Sequence, residues 1–217
     1  MRDAMMRRAV KRALDACCLA LLAPAAAMCR LEAMHDQHSE VLFTFWAQAF
    51  ALVPGLPGVF VRRAFYRMTL DQCGRSFFVG FGTVVSHRQT TVGEDVYVGP
   101  YAIVGSAYLR RGCLICSRAS IVSGGALHVL DADLRWTTSD LSRLRRIEIG
   151  EHAWIGEGSV VLADIGRSAM VAAGSVVSGA VPPATVVAGN PARFVRRLTI
   201  VTSEEEVPSV QAAVSIR

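Results

Sequence analysis

An aliphatic residue recurs every six positions over much of residues 79–194, and this period limits the folds open to the chain more than any other feature. A Gly or Ala usually follows the aliphatic residue, and a small or β-branched residue occupies the fifth place. Such a period is typical of a parallel β-helix, in which each short strand turns one aliphatic side chain into a narrow prism. The clearest repeat units begin at Val92, Val98, Val104, Ile115, Ile149, Ile155, Ile165 and Val171.

The Gly in second place supports this interpretation, because a Cβ there would crowd a tight corner between two faces. The alternative is a β-sandwich with Gly-rich turns. Sandwich strands alternate with period two and have turn signals every 8–12 residues, and this chain follows neither pattern. Cys113 and Cys116 form a C-x-x-C motif, but Cys113 falls in the small fifth place. We therefore expect it to pack in the core rather than to bind zinc or act in redox chemistry.

Composition narrows the class of partner. The chain has 217 residues, 52% of them hydrophobic and 19% charged, with a net charge of +5. A positive charge suits an anionic partner, either nucleotide phosphates or an anionic membrane surface. Nucleic acid is not expected, because the basic residues form no motif and aromatic residues make up only 7%. The six cysteines include an adjacent pair, which favours reduced thiols in a cytoplasmic protein.

The first 76 residues read as an apolar, α-helical region. Residues 1–12 are basic, residues 13–28 are apolar apart from Asp15 and Pro24, and a second apolar run covers 41–60. Apolar helices flanked by Arg and Lys predict a peripheral element on the cytoplasmic face of the cell membrane. Two alternatives remain open at this point: an export signal, and helices packed on the end or side of the β-helix.

The repeat domain is predicted over residues 77–197, with one interruption and a tail. Register breaks from 124 to 146, where the sequence is polar and contains His128. A long irregular stretch inside a compact repeat usually has a function, so we expect a projecting loop here. Residues 198–217 are predicted to form a mobile C-terminal tail.

Three motifs resemble the hexapeptide-repeat acyltransferases: Trp154-Ile-Gly, Val171-Ala-Ala-Gly-Ser-Val-Val and Ala188-Gly-Asn-Pro-Ala-Arg. The resemblance covers roughly residues 79–197. It implies a left-handed parallel β-helix and a homotrimer whose active site lies between neighbouring prisms, with acyl-CoA in the groove between them. Members of the family include O- and N-acetyltransferases of sugars and surface polysaccharides.

The resemblance also implies a catalytic base, because an acceptor hydroxyl is a poor nucleophile until an imidazole removes its proton. The family places this histidine in a projecting loop, and His128 stands where that loop begins. Many members have two histidines spaced H-x-H, whereas this chain has Ala126 in the first place. Asp131 and Asp133 both remain candidates for orienting His128.

Donor contacts are implied by position. Arg193 and Arg196 match residues near the coenzyme A phosphates, where the guanidinium fork suits the chemistry. Ala173 and Gly174 match positions where exposed backbone meets the pantetheine arm. The remaining implied donor contacts are Trp154, Glu157, Ser178 and Gly179, the last two standing where many relatives have Thr-Lys.

On the acceptor side, the resemblance points to Ser86 and His87. The predicted function is therefore acyl transfer to a hydroxyl group of a sugar. The donor is acetyl-CoA or another acyl-CoA, and the acceptor sugar belongs to a surface polysaccharide or to a lipid-linked glycan. The alternative from another class is a non-catalytic β-helix scaffold. A zinc-dependent carbonic anhydrase on the same β-helix needs three suitably spaced histidines, which His87, His128 and His152 do not provide, so no metal is expected.

Overall fold

The computed structural model describes residues 2–123, 128, 130–136 and 144–199. Within these residues, helices α1 (Arg2–His35), α2 (Val41–Ala51) and α3 (Gly55–Thr69) precede a series of short strands. The strands are β1 (Gln72–Cys73), β2 (Phe78–Val79), β3 (Val84–Val85), β4 (Thr91–Val92), β5 (Tyr97–Val98), β6 (Ile103–Val104), β7 (Ala107–Leu109), β8 (Leu114–Ile115), β9 (Ser120–Ile121), β10 (Ile147–Ile149), β11 (Trp154–Ile155), β12 (Val160–Val161), β13 (Met170–Val171), β14 (Val176–Val177), β15 (Thr185–Ala188) and β16 (Arg193–Arg197).

The strands form the three faces of a prism. Sheet A has the order β1-β4-β7-β10, sheet B the order β16-β15-β13-β11-β8-β5-β2, and sheet C the order β14-β12-β9-β6-β3. The chain visits the faces in the order A, B, C, and neighbouring strands are parallel except for the antiparallel pair β15–β16. This is the parallel β-helix that the six-residue period predicted.

The prism is filled as the period requires. In sheet B the aliphatic residues stack in register, and each is buried; the stack is Val79, Val98, Ile115, Ile155, Val171 and Val187. The small residues of the fifth place lie beside them. Cys113 is among these and is fully buried, which confirms its packing role. Burial raises the pKa of its thiol to about 12.

The corners explain the second-place glycines. A Cβ added at Gly156 would lie 2.4 Å from the backbone nitrogen of Ala173, and one added at Gly80 would lie 2.4 Å from that of Pro100. The restriction therefore comes from the next coil and not from the torsion angles of the corner itself. Left-handed torsion angles occur instead in the fourth place, for example at Asp95 and His152, with φ of 58° and 55°.

Helices α2 and α3 cover the open end of the first coil. Phe43, Phe65 and Tyr66 are fully buried there, and the hydroxyl of Tyr66 accepts a hydrogen bond of 3.0 Å from the N–H of Val85. α1 packs along α3. The sequence left open an export signal and helices packed on the β-helix. Helices α2 and α3 pack on the end of the β-helix.

One buried arginine ties this cap to the prism. The guanidinium of Arg62 donates to the carbonyl of Val79 at 3.0 Å and to those of Phe50, Ala51 and Val53 at 3.2, 3.4 and 2.6 Å. The last three carbonyls lie at the end of α2 and just beyond it, where helical geometry leaves carbonyls short of donors. Those of Phe50 and Ala51 also accept backbone N–H groups, from Val53 and Gly82. Arg62 thereby joins the end of α2 to the first coil.

The coils begin earlier than the repeat shows. β1 pairs with β4, with Cys73 opposite Val92, so the first strand lies inside the region 1–76 that the sequence assigned to helices. Cys73 occupies the place of an aliphatic residue, which hides the repeat. α1 also runs past the apolar segment, with Pro24 inside it, and ends at His35.

The interruption at 124–146 enters at one corner of the prism. β9 in sheet C precedes it, β10 in sheet A follows it, and the strands on either side stay in register across it, with Ile121 opposite Val161. Ala126 and the tail from residue 200 lie outside the described residues.

Candidate functional site

The corner between sheets C and A carries several of the predicted site residues. We call it the C–A edge: residues 86–90 of the first coil, 105–106 of the next, and 122–123 and 144–146 of the coil above them, where the insertion begins and ends. The coils are linked along it by hydrogen bonds, from the Thr90 hydroxyl to the Gly105 carbonyl at 3.0 Å and from the Ser106 N–H to the Ser123 hydroxyl at 2.8 Å. His87 therefore lies on the edge from which the insertion containing His128 leaves the prism.

His87 has a carboxylate partner. Its Nδ1 lies 2.6 Å from Oε2 of Glu40, and both side chains are mostly buried. Because a carboxylate accepts and does not donate, Nδ1 carries the proton, and in the neutral ring Nε2 carries the lone pair. The other oxygen of Glu40 accepts the N–H of Arg88 at 2.8 Å, which fixes the carboxylate.

Three parts of the chain meet around this pair. A cavity of about 20 Å³, room for about one water molecule, is lined by residues of the α1–α2 link, of the C–A edge and of the end of the insertion. Arg88 holds the link in place by donating to the carbonyls of Cys29 and Ser39. The lining residues are Gln37, His38, Glu40, His87, Gln89 and Leu144.

His128 lies in the insertion and is exposed. Beyond it, Leu130 pairs with Trp136 around a turn. Oδ1 of Asp131 accepts the N–H groups of Asp133 and Arg135, both at 2.9 Å. The side chain of Asp131 is thus built into the turn, whereas Asp133 enters this contact through its backbone.

Predicted donor residues cluster on the outer face of sheet B. A cavity of about 480 Å³ is lined by Trp154, Glu157 and Ala173 together with apolar residues of β13. The half-exposed Trp154 donates its indole N–H to Sγ of Cys116 at 3.1 Å. Gly174 follows Ala173 at the corner, with φ of 67° and no atom near the place of a Cβ. Small groups and open backbone leave room here for a long, thin ligand.

A second cavity, of about 350 Å³, brings together Ser178, Gly179 and Arg193. Arg197 lines it as well, although the motifs did not single it out, whereas Arg196 is not among the lining residues. A bulge between Val186 and Val187 in the β15–β16 pairing shifts the register of β16. Such a shift moves side chains between faces, so spacing alone could not assign these arginines.

A third cavity, of about 510 Å³, runs along sheet A and includes none of the predicted residues. Its charged groups are already paired: Arg110 lies 3.0 Å from Glu148, and Arg167 lies 3.9 Å from Glu151. A cavity whose charges neutralise each other offers little to an anionic ligand. Across the described parts of the chain, no group of three or more His, Cys, Asp or Glu side chains is arranged to hold a metal ion.

No family model and no curated protein matches the sequence. Solved structures do match the fold. The chain has the fold of the hexapeptide-repeat acetyltransferases. A maltose O-acetyltransferase from Clostridium difficile 630 aligns with a TM-score of 0.60 and 21% identity, over 72% of this chain and 85% of the other.

Two further structures hold a ligand. A hexapeptide-repeat containing acetyltransferase from Vibrio cholerae O1 biovar eltor, complexed with acetyl coenzyme A, aligns with a TM-score of 0.55 and 23% identity over 76% of this chain and 92% of the other. A galactoside acetyltransferase in complex with coenzyme A aligns with a TM-score of 0.54 and 20% identity over 77% and 88%. The predicted fold class, a left-handed parallel β-helix with an apolar helical N-terminal region, is confirmed.

Proposed function

We propose that this protein is an acyl-CoA-dependent O-acyltransferase that transfers an acetyl group from acetyl-CoA to a hydroxyl of a glycan. The observation that carries the proposal is the cavity on sheet B, lined by Trp154, Glu157 and Ala173, in a fold shared with acetyltransferases that bind acetyl-CoA or CoA. The acceptor is a sugar of a surface polysaccharide or a lipid-linked glycan.

The donor is held by two kinds of surface. The apolar cavity with its open backbone at Ala173 and Gly174 receives the pantetheine arm. Arg193 and Arg197 in the second cavity, with Arg196 beside them on β16, supply cations for the phosphates. The protein works as a homotrimer, in which the groove for the donor is completed by the neighbouring prism.

The acceptor binds at the C–A edge, where Ser86 and His87 lie. His128 acts as the general base: it takes the proton of the acceptor hydroxyl while that oxygen attacks the thioester carbonyl carbon. The new C–O ester bond forms as the C–S bond breaks, and the imidazolium returns its proton to the CoA thiolate. Glu40, which sequence reasoning missed, orients His87 toward the acceptor.

Calorimetry with acetyl-CoA tests the donor site. Arg193→Ala should weaken binding about tenfold or more, because a charge-assisted contact to phosphate is lost. Arg75→Ala, an exposed arginine at a distant corner, is the matched control and should bind normally. If the wild type binds neither acetyl-CoA nor CoA, the alternative of a non-catalytic scaffold replaces this proposal.

The base assignment has its own test. His128→Ala should lose acetyl transfer while it keeps acetyl-CoA binding, and His35→Ala, an exposed histidine at the end of α1, should keep both. Normal turnover by His128→Ala would contradict the assignment and direct attention to Nε2 of His87.

A further inference from the structure

The outward face of α1 is apolar along most of its length. The face is formed by apolar side chains left exposed by the packing of α1 on α3, with Leu21 77% and Leu31 64% exposed. The residues follow one another at spacings of three and four, so they form one continuous stripe on a helix. The stripe comprises Val10, Leu14, Cys17, Leu21, Pro24, Met28 and Leu31.

Charge is absent from this surface between residues 13 and 28. The one charged residue in that segment, Asp15, turns inward and pairs with Arg63 of α3 in a mostly buried ion pair. At a rise of about 1.5 Å per residue the uncharged surface is roughly 24 Å long. A surface helix of a water-soluble domain normally shows a polar outer face, so this face needs a partner.

The neighbours of the stripe favour lipid over a second copy of the chain. The exposed positions beside it are occupied by Ala13, Ala20 and Ala27. A coiled coil in water places charged residues there to direct pairing. Lys11 and Arg12 are exposed near the start of the stripe, Lys11 on its flank and Arg12 on the opposite side of α1, where both line a cavity with Arg67. This group of cations attracts an anionic surface.

Two polar contacts decide how α1 meets a bilayer. By length and composition, Ala9–His35 could cross a membrane. However, Asp15 holds one part of α1 to α3, and near the other end the Glu32 carboxylate accepts the N–H of Leu42 at 3.0 Å and the Ser39 hydroxyl at 2.8 Å. Since α2 and α3 cap the prism, both tethers keep α1 alongside the prism.

We propose that the outward stripe of α1 lies in the surface of an anionic bilayer, with the prism outside and with Lys11 and Arg12 supplying long-range attraction to the headgroups. The α1–α2 link that carries Glu40 follows directly from this helix. If the proposed transferase activity holds, the C–A edge is thereby presented to acceptors carried on lipid.

Vesicle flotation of the full chain tests the proposal. Wild type should float with vesicles of phosphatidylglycerol and phosphatidylcholine. The double variant Leu21→Glu/Leu31→Glu should bind the vesicles at least about tenfold more weakly. The two carboxylates stay in water, so the apolar area of both leucines is no longer buried in the bilayer. Lys11→Gln/Arg12→Gln should reduce binding and its salt dependence. Leu134→Glu is the matched control, because Leu134 is equally exposed but lies in the insertion.

Two outcomes would overturn the proposal. One is unchanged flotation of the Leu21→Glu/Leu31→Glu variant. The other is that the wild type does not float with the vesicles and that light scattering finds a smaller oligomer for the variant than for the wild type. The stripe would then be an interface between protein chains. Acetyl transfer to a soluble sugar, measured on the same variant, separates this result from the proposed function, because α1 contributes none of the residues proposed to bind the donor or remove the proton.

Discussion

Gly156→Ala probes the spacing between coils most directly. Its added Cβ would lie 2.4 Å from the Ala173 nitrogen and 2.7 Å from the Val171 carbonyl oxygen. Ordinary van der Waals contact begins at 3.4 Å, so the coils must separate by 3.4 − 2.4 = 1.0 Å. The Gly156 N–H bonds the Val171 carbonyl at 2.8 Å, and a separation of this size would break that bond.

The expected cost follows from these two effects. One or two lost backbone hydrogen bonds contribute about 1–2 kcal/mol, and forcing an atom into a packed site adds about 1–3 kcal/mol. We expect Gly156→Ala to lower the free energy of unfolding by about 3 kcal/mol. The physical reason is backbone-to-backbone contact between coils, which no side-chain rotation can relieve.

Two matched variants separate this effect from backbone torsion. Gly158, in the same corner, has φ of 66° and nothing within 4 Å of a Cβ. Gly158→Ala should therefore cost only the left-handed conformation, about 1 kcal/mol. Gly179 has open space and no left-handed φ, so Gly179→Ala should be neutral or slightly stabilising.

Urea unfolding at one fixed protein concentration measures all three. The order of destabilisation should be Gly156→Ala, then Gly158→Ala, then Gly179→Ala. If Gly156→Ala is no more destabilising than Gly158→Ala, the explanation of second-place glycines by the neighbouring coil is wrong.

Three further predictions concern the cap and the core. Arg62→Met should lower the free energy of unfolding by about 2–4 kcal/mol, because the carbonyls at the end of α2 lose a charged donor. Urea unfolding measures this change, and Arg67→Met, on the same helix, is the control. A thiol reagent at pH 8 should modify the exposed Cys17 rapidly and Cys113 only after unfolding, because burial raises the pKa of Cys113 to about 12. Although burial alone would raise the pKa of Glu32, hydrogen bonds at the start of α2 hold it below its usual value. The Glu32 carboxylate therefore stabilises the fold above the pKa of a glutamate in the unfolded chain, about 4.3. This stabilisation is lost as the pH falls through the lower pKa of the folded state. Glu32→Gln should therefore make the free energy of unfolding depend less on pH in acid, measured by unfolding at a series of pH values.

The donor-binding residues show that the six-residue repeat allows neighbours in space to be predicted from the sequence. Glu157 and Ala173 lie in equivalent corners of successive coils, and their backbones pair through the Gly174 N–H and the Glu157 carbonyl at 2.8 Å. Once the coil length is known, residues separated by one coil are neighbours. The cavity that contains Trp154, Glu157 and Ala173 follows from that rule.

The acceptor side shows where repetition fails. Glu40 and His87 are 47 residues apart and belong to different kinds of structure, a helix link and a prism corner. No period relates them, so only the tertiary packing of α2 on the first coil could bring them together. Strand β1 escaped the sequence analysis for a different reason: Cys73 stands where the repeat has an aliphatic residue. Only its pairing with β4, in which Cys73 lies opposite Val92, shows the strand.

The sequence by itself determined the prism, its inward residues, its tight corners and the place of the insertion, because each is a local pattern repeated along the chain. The tertiary structure decided which face of α1 stays outside, which carboxylate joins His87, and which carbonyls Arg62 holds. These contacts depend on how the helices dock against the prism. Docking is a long-range arrangement that leaves no periodic trace in the order of residues.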